Sequence, residues 1–305
     1  MHKRHRIKIT TKFQGAKIMI TLNTKLVGLL GYPLTFTFSP TMHNSTFEHL
    51  GLDNFYLPIE VGKDGLEDVL NGIRRMNFIG CNVTKPNKVR VLRYLDEIDE
   101  LASKIGAVNT VKIVDGKLIG YNTDGYGYVE SLKTVIGDVK GKKFILLGSG
   151  GAGRAIAFTL ASEGAGKILI FDKATDCGEK VATEVNAGVK HCSEYVSLSE
   201  ANLKNAIDEC DVIINATGAG MIPNVDVTPI DKCLLRPGII ASDITYNPVK
   251  TRFLKDAEEV GCMTHNGVGM LIYQGAKAFE IWTGLEAPVE HMTQTVTHII
   301  ENLNK

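Results

Sequence analysis

The feature of this sequence that most constrains its fold is the run Gly148-Ser149-Gly150-Gly151-Ala152-Gly153, which lies between an apolar segment and a helical one. Glycines in a strand-to-helix turn let the backbone approach a pyrophosphate, whose charge is stabilised at the helix N-terminus. Asp172 follows about 20 residues later, which is the spacing of the acidic residue that binds ribose hydroxyls. The run and Asp172 together predict a dinucleotide site.

Strand-like and helix-like segments alternate along the rest of the chain. This alternation is typical of α/β proteins with largely parallel sheets. We therefore predict an α/β fold with two domains, an N-terminal α/β substrate domain and a Rossmann-type, doubly wound dinucleotide-binding domain. The predicted strands are 26–31, 55–59, 78–83, 108–113, 117–121, 142–147, 167–171, 212–214 and 238–244. One predicted helix begins at Ser39, and the others cover 66–76, 86–95, 154–162, 179–186, 269–283 and 289–303.

The length of 305 residues suits two domains of roughly 150 residues each. We place the boundary near residues 124–140. The predicted substrate-binding and catalytic domain is 21–124, completed by the C-terminal helices 269–305, and the predicted NAD(P)-binding domain is 125–268. Residues 1–20 are basic, contain no apolar run of signal-peptide length, and are expected to form a poorly ordered extension.

Composition excludes several classes of protein. Lys and Arg total 34, as do Asp and Glu, so the chain lacks the positive charge that binds nucleic acid or a membrane surface. No apolar stretch approaches the roughly 20 residues that span a bilayer. The six cysteines form no Cys-x-x-Cys pair, which indicates reduced thiols in a cytoplasmic protein. The eight histidines are scattered, and we predict no metal site.

A second group of polar residues follows the strand 78–83. The segment Asn82-Val83-Thr84-Lys85-Pro86-Asn87-Lys88 lies at the carboxyl end of that strand, the edge where ligands bind in parallel α/β units. Lys85 is interpreted as a surface residue. On spacing alone, Lys88 is equally a site residue or a solvated lysine. Asn109 and Asp124 occupy turn positions, where a plain turn role is as common as a functional one.

From about residue 25 to its end, the chain resembles the shikimate/quinate dehydrogenase family. The resemblance is carried by motifs that occur in the family's order. They are Thr37-Phe38-Ser39-Pro40, Asn82-Val83-Thr84 with Lys88, Ala107-Val108-Asn109-Thr110, Tyr121-Asn122-Thr123-Asp124-Gly125, Asn215-Ala216-Thr217 with Gly220-Met221, Asp243 through Tyr246-Asn247-Pro248, and Gly267-Val268-Gly269-Met270-Leu271 with Gln274.

The resemblance assigns roles to residues that spacing alone leaves open. It implies that Lys88 and Asp124 are catalytic. It implies that Thr37 and Ser39 bind a substrate carboxylate, with Tyr246 as a further contact. Ring hydroxyls are then bound by Thr84, Asn109 and Gln274 together with Asp124, and the cofactor is contacted by Thr217, Ile244 and Gly267 in addition to the glycine run, Asp172 and Lys173.

The activity that the resemblance implies is nicotinamide-dependent, reversible reduction of 3-dehydroshikimate to shikimate, in aromatic amino acid biosynthesis. The family usually has His-Ser-x-Ser where this chain has Phe36-Thr37-Phe38-Ser39. The methyl group of Thr37 narrows the carboxylate pocket, so a dehydrogenase acting mainly on quinate with NAD is the alternative. A ligand-binding protein with the same fold but without enzymatic activity is a hypothesis from a different functional class. The presence of both Lys88 and Asp124 disfavours it.

The cofactor expected from the residues is NAD in preference to NADP. Family members that use NADP typically carry Asn-Arg-Thr where this chain has Asp172-Lys173-Ala174. A carboxylate at residue 172 would repel the 2′-phosphate of NADP. Lys173 acts in the opposite direction, but a lysine lacks the planar fork with which arginine binds phosphate.

Two roles are open to Lys88, since it either exchanges the substrate proton together with Asp124 or stabilises developing alkoxide as a fixed donor. The expected partners are the small-molecule substrate and a second copy of the chain in a homodimer.

Overall fold

The computed structural model describes residues 20–35 and 37–303, so all of the expected N-terminal extension except Ile20 lies outside the described residues. The strands are β1 Lys25–Gly31, β2 Asn54–Glu60, β3 Phe78–Val83, β4 Glu97–Ile98, β5 Thr110–Val114, β6 Lys117–Tyr121, β7 Lys143–Leu147, β8 Lys167–Phe171, β9 Ser193–Tyr195, β10 Val212–Asn215, β11 Ile240–Asp243 and β12 Met263–His265. The helices are α1 Ser39–His49, α2 Leu66–Ile73, α3 Glu100–Ile105, α4 Asp124–Ile136, α5 Gly151–Ser162, α6 Thr175–Gly188, α7 Glu200–Glu209, α8 Arg252–Val260, α9 Val268–Thr283 and α10 Val289–Leu303.

The first sheet is mixed and has the strand order β2-β1-β3-β5-β6-β4. Strands β2, β1 and β3 are parallel, and the β5–β6 hairpin continues the sheet in antiparallel pairing. The hairpin turns at Asp115 and Gly116, both of which have positive φ. Because Val83 ends β3 and Thr110 starts the antiparallel β5, the segments that follow β3 and precede β5 meet at the same edge of the sheet.

The second sheet is parallel throughout and has the order β12-β11-β10-β7-β8-β9. This is the doubly wound Rossmann order, in which the chain reverses direction across the sheet between β7 and β10. Ligands bind at the carboxyl ends of the strands beside such a switch point. The predicted fold class is therefore confirmed.

The apolar run of β7 supplies both faces of the second sheet. Phe144 and Leu146 are buried under α4, α5 and α6, whereas Ile145 and Leu147 are buried under α7 and α8. Successive side chains of a strand point to opposite faces, so an unbroken apolar run is what a strand covered on both sides requires. The rigid end of β7 leads directly into the glycine run.

The two C-terminal helices pack against α1 and the first sheet. Trp282 of α9 donates from Nε1 to the backbone oxygen of Val111 in β5 at 3.0 Å, and Phe279 is fully buried in the same core. Met292 and Val296 of α10 complete this core. The packing agrees with the expectation that the C-terminal helices complete the N-terminal unit, although the domain bounds themselves stay a prediction.

The expected helix at 86–95 is wrong in most of its length, because only Arg90–Tyr94 are helical and they form a 3₁₀ turn. Tertiary hydrogen bonds hold the preceding residues out of a helix. The side chain of Asn87 donates to the backbone oxygen of Val61, and the backbone oxygen of Lys88 accepts from the N–H of Val108 at 2.8 Å. Lys88 therefore lies in a fixed loop and not on a helix.

The stretch 124–140, expected to contain a domain boundary, is mostly the helix α4. Gly125 and Gly127 let this helix approach its neighbours closely. A Cβ atom at residue 125 would lie 2.5 Å from the backbone oxygen of Ala155 in α5, and one at residue 127 would lie 2.5 Å from the backbone nitrogen of Gln274 in α9. Helix α4 is thus wedged between the two halves of the molecule, with Asp124 as its first residue.

His43 of α1 is fully buried beside Tyr56, whose ring centroid is 4.7 Å away. Neither of its ring nitrogens has a hydrogen-bond partner among the described residues. Burial lowers the pKa of His43 to about 3, whereas an unfolded histidine titrates near pH 6.5. Below about pH 6.5 the unfolded chain binds a proton that the folded chain does not, so acidification destabilises the fold.

We predict that His43→Phe removes about 2 kcal/mol of the stability loss between pH 7 and pH 5. The measurement is urea unfolding at the two pH values. His298→Asn, at an exposed histidine of α10, should leave the loss as in the wild type. An unchanged pH dependence in His43→Phe would contradict a neutral, buried His43.

Candidate active site

Lys88 and Asp124 form an ion pair in which Nζ and Oδ2 are 2.6 Å apart. The side chain of Lys88 is 29% exposed and that of Asp124 is 11% exposed. The pair is therefore mostly enclosed, and solvent screens the attraction between its charges less than it would on an open surface. The lysine side chain is still partly exposed to solvent. The two residues come from the loop after β3 and from the start of α4.

Asn109 fixes the carboxylate of Asp124 from the side opposite Lys88. Its Nδ2 donates to Asp124 Oδ1 and to Thr123 Oγ1, both at 2.9 Å. Its Oδ1 accepts from the backbone N–H of Thr123 at 2.8 Å, and because that group can only donate, the orientation of the amide is determined. Both oxygens of Asp124 therefore receive N–H donors, which is the arrangement of an ionised carboxylate.

A line of buried hydroxyls and amides connects Tyr56 with this pair. The hydroxyl of Tyr56 donates to Asn82 Oδ1 at 2.9 Å. Asn82 Nδ2 in turn donates to Thr110 Oγ1 at 3.1 Å, next to Asn109. Burial raises the pKa of Tyr56 well above its ordinary value, so this hydroxyl stays protonated.

Tyr56, Thr110 and Thr123 are the members of this network that the sequence prediction did not include. Thr110 and Thr123 lie inside the quoted motifs, where their hydroxyls could have been noticed. Tyr56 lies in the apolar strand β2. The one indication in the sequence is that a tyrosine in a buried strand needs a hydrogen-bond partner for its hydroxyl.

The predicted carboxylate-binding residues contact one another and have no hydrogen bond to the Lys88–Asp124 pair. Thr37 Oγ1 accepts from the backbone N–H of Ser39 at 3.2 Å. The ring of Tyr246 packs on that of Phe38, with 5.4 Å between centroids, and burial raises the pKa of its hydroxyl. Thr37, Ser39 and Tyr246 thus belong to one region at the start of α1.

Gln274 and Thr84 are placed by backbone packing. Gln274 lies in α9 against Gly127, one turn of helix after Asp124, and its Nε2 donates to Leu271 O at 2.9 Å. Thr84 follows β3, with its methyl group against Gly31 of β1. Both residues are partly exposed and retain unused hydrogen-bonding capacity.

The glycine run forms the expected turn from β7 into α5. Gly148 has a φ of +92°, which favours glycine, and its N–H donates to Phe171 O in β8 at 2.8 Å. A Cβ at residue 153 would lie 2.0 Å from Gly148 O, whereas one at residue 150 would meet nothing within 4 Å. No side chain caps the N-terminus of α5. Its first N–H groups are therefore available to an anion, and the loop fits the pyrophosphate of a dinucleotide.

The carboxylate of Asp172 is used within this loop. Its Oδ2 accepts from both the N–H and the hydroxyl of Ser149 at 2.6 Å, and its Oδ1 accepts from the N–H of Ala174 at 2.8 Å. Partial burial raises the pKa of Asp172, but these hydrogen bonds outweigh it and hold the pKa below its ordinary value. Lys173, the next residue, is exposed.

The three other cofactor residues from the sequence prediction surround the same edge of the second sheet. Thr217 follows β10, donates from Oγ1 to Asn215 Oδ1 at 2.6 Å, and lies against Gly148. Ile244 follows β11, and a Cβ at Gly267 would lie 2.1 Å from the backbone oxygen of Ile244. Thr217, Ile244 and Gly267 are therefore placed around the ends of β7, β10 and β11.

A cavity of about 240 Å³ lies away from the site residues. It is between α7 and strands β7, β8 and β9, near the ion pairs Lys143–Glu209 and Lys167–Glu194, and none of the site residues lines it. Within residues 20–35 and 37–303, no group of three or more His, Cys, Asp or Glu could hold a metal ion. None of the helices formed by these residues is long and apolar enough to cross a membrane.

A parallel Rossmann sheet with a glycine loop, joined through the packing of α4 on α5 to a lysine–aspartate pair, defines the protein as a two-domain α/β dehydrogenase. Family models match three parts of the chain: the shikimate dehydrogenase substrate-binding domain at 29–111, shikimate/quinate 5-dehydrogenase at 130–236, and the shikimate 5′-dehydrogenase C-terminal domain at 267–297. The matched segments contain most of the residues described above.

Individual relatives resemble the chain over nearly its whole length. A shikimate dehydrogenase (NADP(+)) from Methanocaldococcus jannaschii is 45% identical over 280 residues, 91% of this chain and 98% of its own. The crystal structure of shikimate 5-dehydrogenase from Listeria monocytogenes, in complex with shikimate and NAD, is 43% identical with a TM-score of 0.86, covering 90% of this chain and 97% of that one. A shikimate dehydrogenase in complex with NADP⁺ is 42% identical with a TM-score of 0.85, covering 92% and 98%.

The chain belongs to the shikimate dehydrogenase family. This confirms the predicted family, the enzyme class of an NAD(P)-dependent oxidoreductase acting on CH–OH groups, and the function of a shikimate dehydrogenase. None of these comparisons favours the quinate alternative over shikimate.

The predicted preference for NAD is wrong, because the curated relatives are named as NADP(+) enzymes and one matched structure holds NADP⁺. The physical reason lies in Asp172. Its carboxylate is turned into the glycine loop, where it accepts three hydrogen bonds from Ser149 and Ala174, so most of its acceptor capacity is used within the protein and is not directed at the cofactor alone.

We predict that alanine at one glycine of the loop weakens cofactor binding, whereas alanine at another destabilises the fold. Gly150→Ala should fold normally, since its φ of −63° suits alanine, but its methyl group should raise the cofactor KM about tenfold by obstructing the pyrophosphate. Gly153→Ala should lower the free energy of unfolding by about 2 kcal/mol through its clash with Gly148. Steady-state kinetics and thermal unfolding separate the two. A wild-type KM in Gly150→Ala would contradict the placement of the pyrophosphate.

Proposed function

We propose that this protein catalyses the reversible, NADP-dependent reduction of 3-dehydroshikimate to shikimate. Residues 21–124 with 269–305 bind the substrate, and residues 125–268 bind the dinucleotide. The observation that carries the proposal is the Lys88–Asp124 ion pair, with 2.6 Å between Nζ and Oδ2. It lies where the loop after β3 meets the start of α4, and α4 packs directly on α5, the helix of the glycine loop.

The ion pair handles the proton of the reaction. NADPH, when bound, supplies the hydride that reduces the C3 carbonyl. The carbonyl oxygen needs a proton at the same time, and the ammonium group of Lys88 donates it. Asp124 holds the ammonium in position, and in the reverse direction Lys88 takes the proton back. Lys88 Nζ and Asn109 Nδ2 each donate to one oxygen of Asp124, so the Lys88 nitrogen is held at a fixed position before the substrate binds.

The substrate carboxylate binds to the hydroxyls at the start of α1. Thr37 and Ser39 donate hydrogen bonds to it, and Tyr246 contributes from the neighbouring loop. The backbone N–H of Ser39 donates to Thr37 Oγ1 at 3.2 Å, which holds the two hydroxyl-bearing residues close together and leaves the protons of both hydroxyls free for the carboxylate.

The ring hydroxyls are bound by Thr84 and Gln274. Asn109 acts mainly by holding Asp124, since both protons of its amide are used inside the protein. Polar contacts of this kind discriminate strongly, because an analogue that lacks a hydroxyl leaves a buried partner unpaired. They therefore select a polyhydroxylated ring.

The glycine run with Thr217, Ile244 and Gly267 would hold the dinucleotide. Lys173, which is exposed beside the loop, would bind the 2′-phosphate of NADP, while Asp172 stabilises the loop through Ser149. A homodimer and a cytoplasmic location stay predictions. The thiols of Cys81, Cys177, Cys192, Cys210, Cys233 and Cys262 are all free, which agrees with a reducing compartment.

We predict that Lys88→Ala lowers kcat about 10²- to 10⁴-fold, the range for loss of a general acid. The KM for shikimate should change far less, because Thr37 and Ser39 bind the carboxylate. Lys85→Ala is the matched control, since Lys85 is an exposed lysine three residues earlier, and it should behave as wild type. Retention of more than about a third of kcat, with a deuteride isotope effect showing hydride transfer to be rate-limiting, would refute the role of Lys88.

We predict that kcat/KM of the wild-type enzyme is higher with NADP than with NAD. Lys173→Ala should lower kcat/KM for NADP about fivefold and leave the value for NAD within about twofold, because only NADP carries the 2′-phosphate. Lys204→Ala, at an exposed lysine of α7, should change neither value. An enzyme that prefers NAD, or an unchanged cofactor ratio in Lys173→Ala, would exclude this phosphate site.

A further inference from the structure

We propose that Thr110, the first residue of β5, is a positioning residue for this reaction, because its hydroxyl orients the amide of Asn109 and thereby the Asp124–Lys88 pair. The inference rests on the proposed function, to which it adds a residue that never touches the substrate. Thr110 is fully buried, so its hydroxyl can act only through neighbouring protein groups.

The hydroxyl of Thr110 lies between three polar side chains. It donates to Asn109 Oδ1 at 3.1 Å, accepts from Asn82 Nδ2 at 3.1 Å, and lies 3.3 Å from Thr123 Oγ1. A hydroxyl has one proton and two lone pairs, so it can satisfy all three contacts at once. Thr110 thereby joins the line of groups that begins at Tyr56 to the groups that hold Asp124.

The orientation of Asn109 matters because its two ends have opposite hydrogen-bonding character. In the observed orientation Oδ1 faces the N–H of Thr123 and the hydroxyls of Thr110 and Thr123, and Nδ2 faces the carboxylate of Asp124. A flipped amide would set its oxygen against that carboxylate and its NH₂ against a backbone N–H. Thr110 donates to Oδ1 at 3.1 Å, closer than the 3.3 Å of the Thr123 hydroxyl, and so makes the orientation that supports Asp124 more stable.

The strand itself does not need this hydroxyl. The backbone of Thr110 pairs with Asn82 and Tyr121 through the sheet, and these pairings are independent of the side chain. Valine has the same branched shape and is equally suited to a strand. Thr110→Val therefore removes the hydroxyl with little change in shape, and Thr110→Ser keeps the hydroxyl while removing the methyl group.

The experiment compares these two variants with wild type in kcat and KM, using shikimate and NADP. Thr110→Val should lower kcat about tenfold and leave the KM for NADP within about twofold, and Thr110→Ser should stay within about threefold of wild type. A loss confined to kcat, with rescue by the hydroxyl of serine, distinguishes a positioning role from a general loss of folded protein.

A crystal structure of Thr110→Val tests the same inference without relying on activity. The distance between Asn109 Nδ2 and Asp124 Oδ1 should exceed 2.9 Å, its value in the wild type, or the amide should be flipped. If Thr110→Val does not fold, Thr110→Ala removes the same hydroxyl with less bulk, and the same changes are expected.

Two results would overturn the inference. One is a Thr110→Val enzyme with wild-type kcat and Asn109 geometry. The other is a Thr110→Ser enzyme that loses as much activity as Thr110→Val, since the methyl group would then be what matters. A wild-type protein inactive with shikimate and NADP would instead refute the proposed function, and the crystal structure would still decide whether Thr110 holds Asn109.

Discussion

The contact between Lys88 and Asp124 is the interaction on which the rest of the structure depends. The loop of Lys88 leaves the first sheet, and its backbone oxygen is fixed by the N–H of Val108. Asp124 starts α4 and is held by Asn109, which directly follows Val108. The segments after β3, before β5 and after β6 therefore converge on one carboxylate. A lysine enclosed in this way would destabilise the fold if it had no partner. The ion pair therefore forms the centre of the candidate site and also holds the three segments in place.

Helix α4 ties this pair to the dinucleotide half of the molecule. Beyond Gly125 and Gly127, the hydroxyl of Tyr128 contacts Ser242 Oγ at 2.8 Å, and Ser131 Oγ contacts His265 Nε2 at 2.7 Å. Burial lowers the pKa of His265 to about 4, so at neutral pH this contact is made by a neutral ring. The helix that starts with Asp124 is thus anchored to β11 and β12. These contacts fix the Lys88–Asp124 pair relative to the sheet that carries the glycine loop.

Sequence reasoning found the parts of this arrangement that depend on local pattern. The glycine run, the strands β7 and β8, and the identities of Lys88 and Asp124 were all predictable, the last two through resemblance. Helix α4 was not, because Gly125 disfavours a helix locally and is needed only for close packing on α5. The role of Asp172 was misjudged for a similar reason. The spacing places a carboxylate near the ribose, but the direction of that carboxylate, toward Ser149, is set by tertiary hydrogen bonds.

We infer that Lys88 and Asp124 act as a single proton-transferring unit and not as two independent contacts. A double-mutant cycle on kcat/KM with Lys88→Met and Asp124→Asn tests it most directly. Groups that act together are non-additive, so the double variant should be no more than about threefold slower than the slower single variant. If the two losses instead multiply, the residues work separately, and the ion pair seen here is not the catalytic unit.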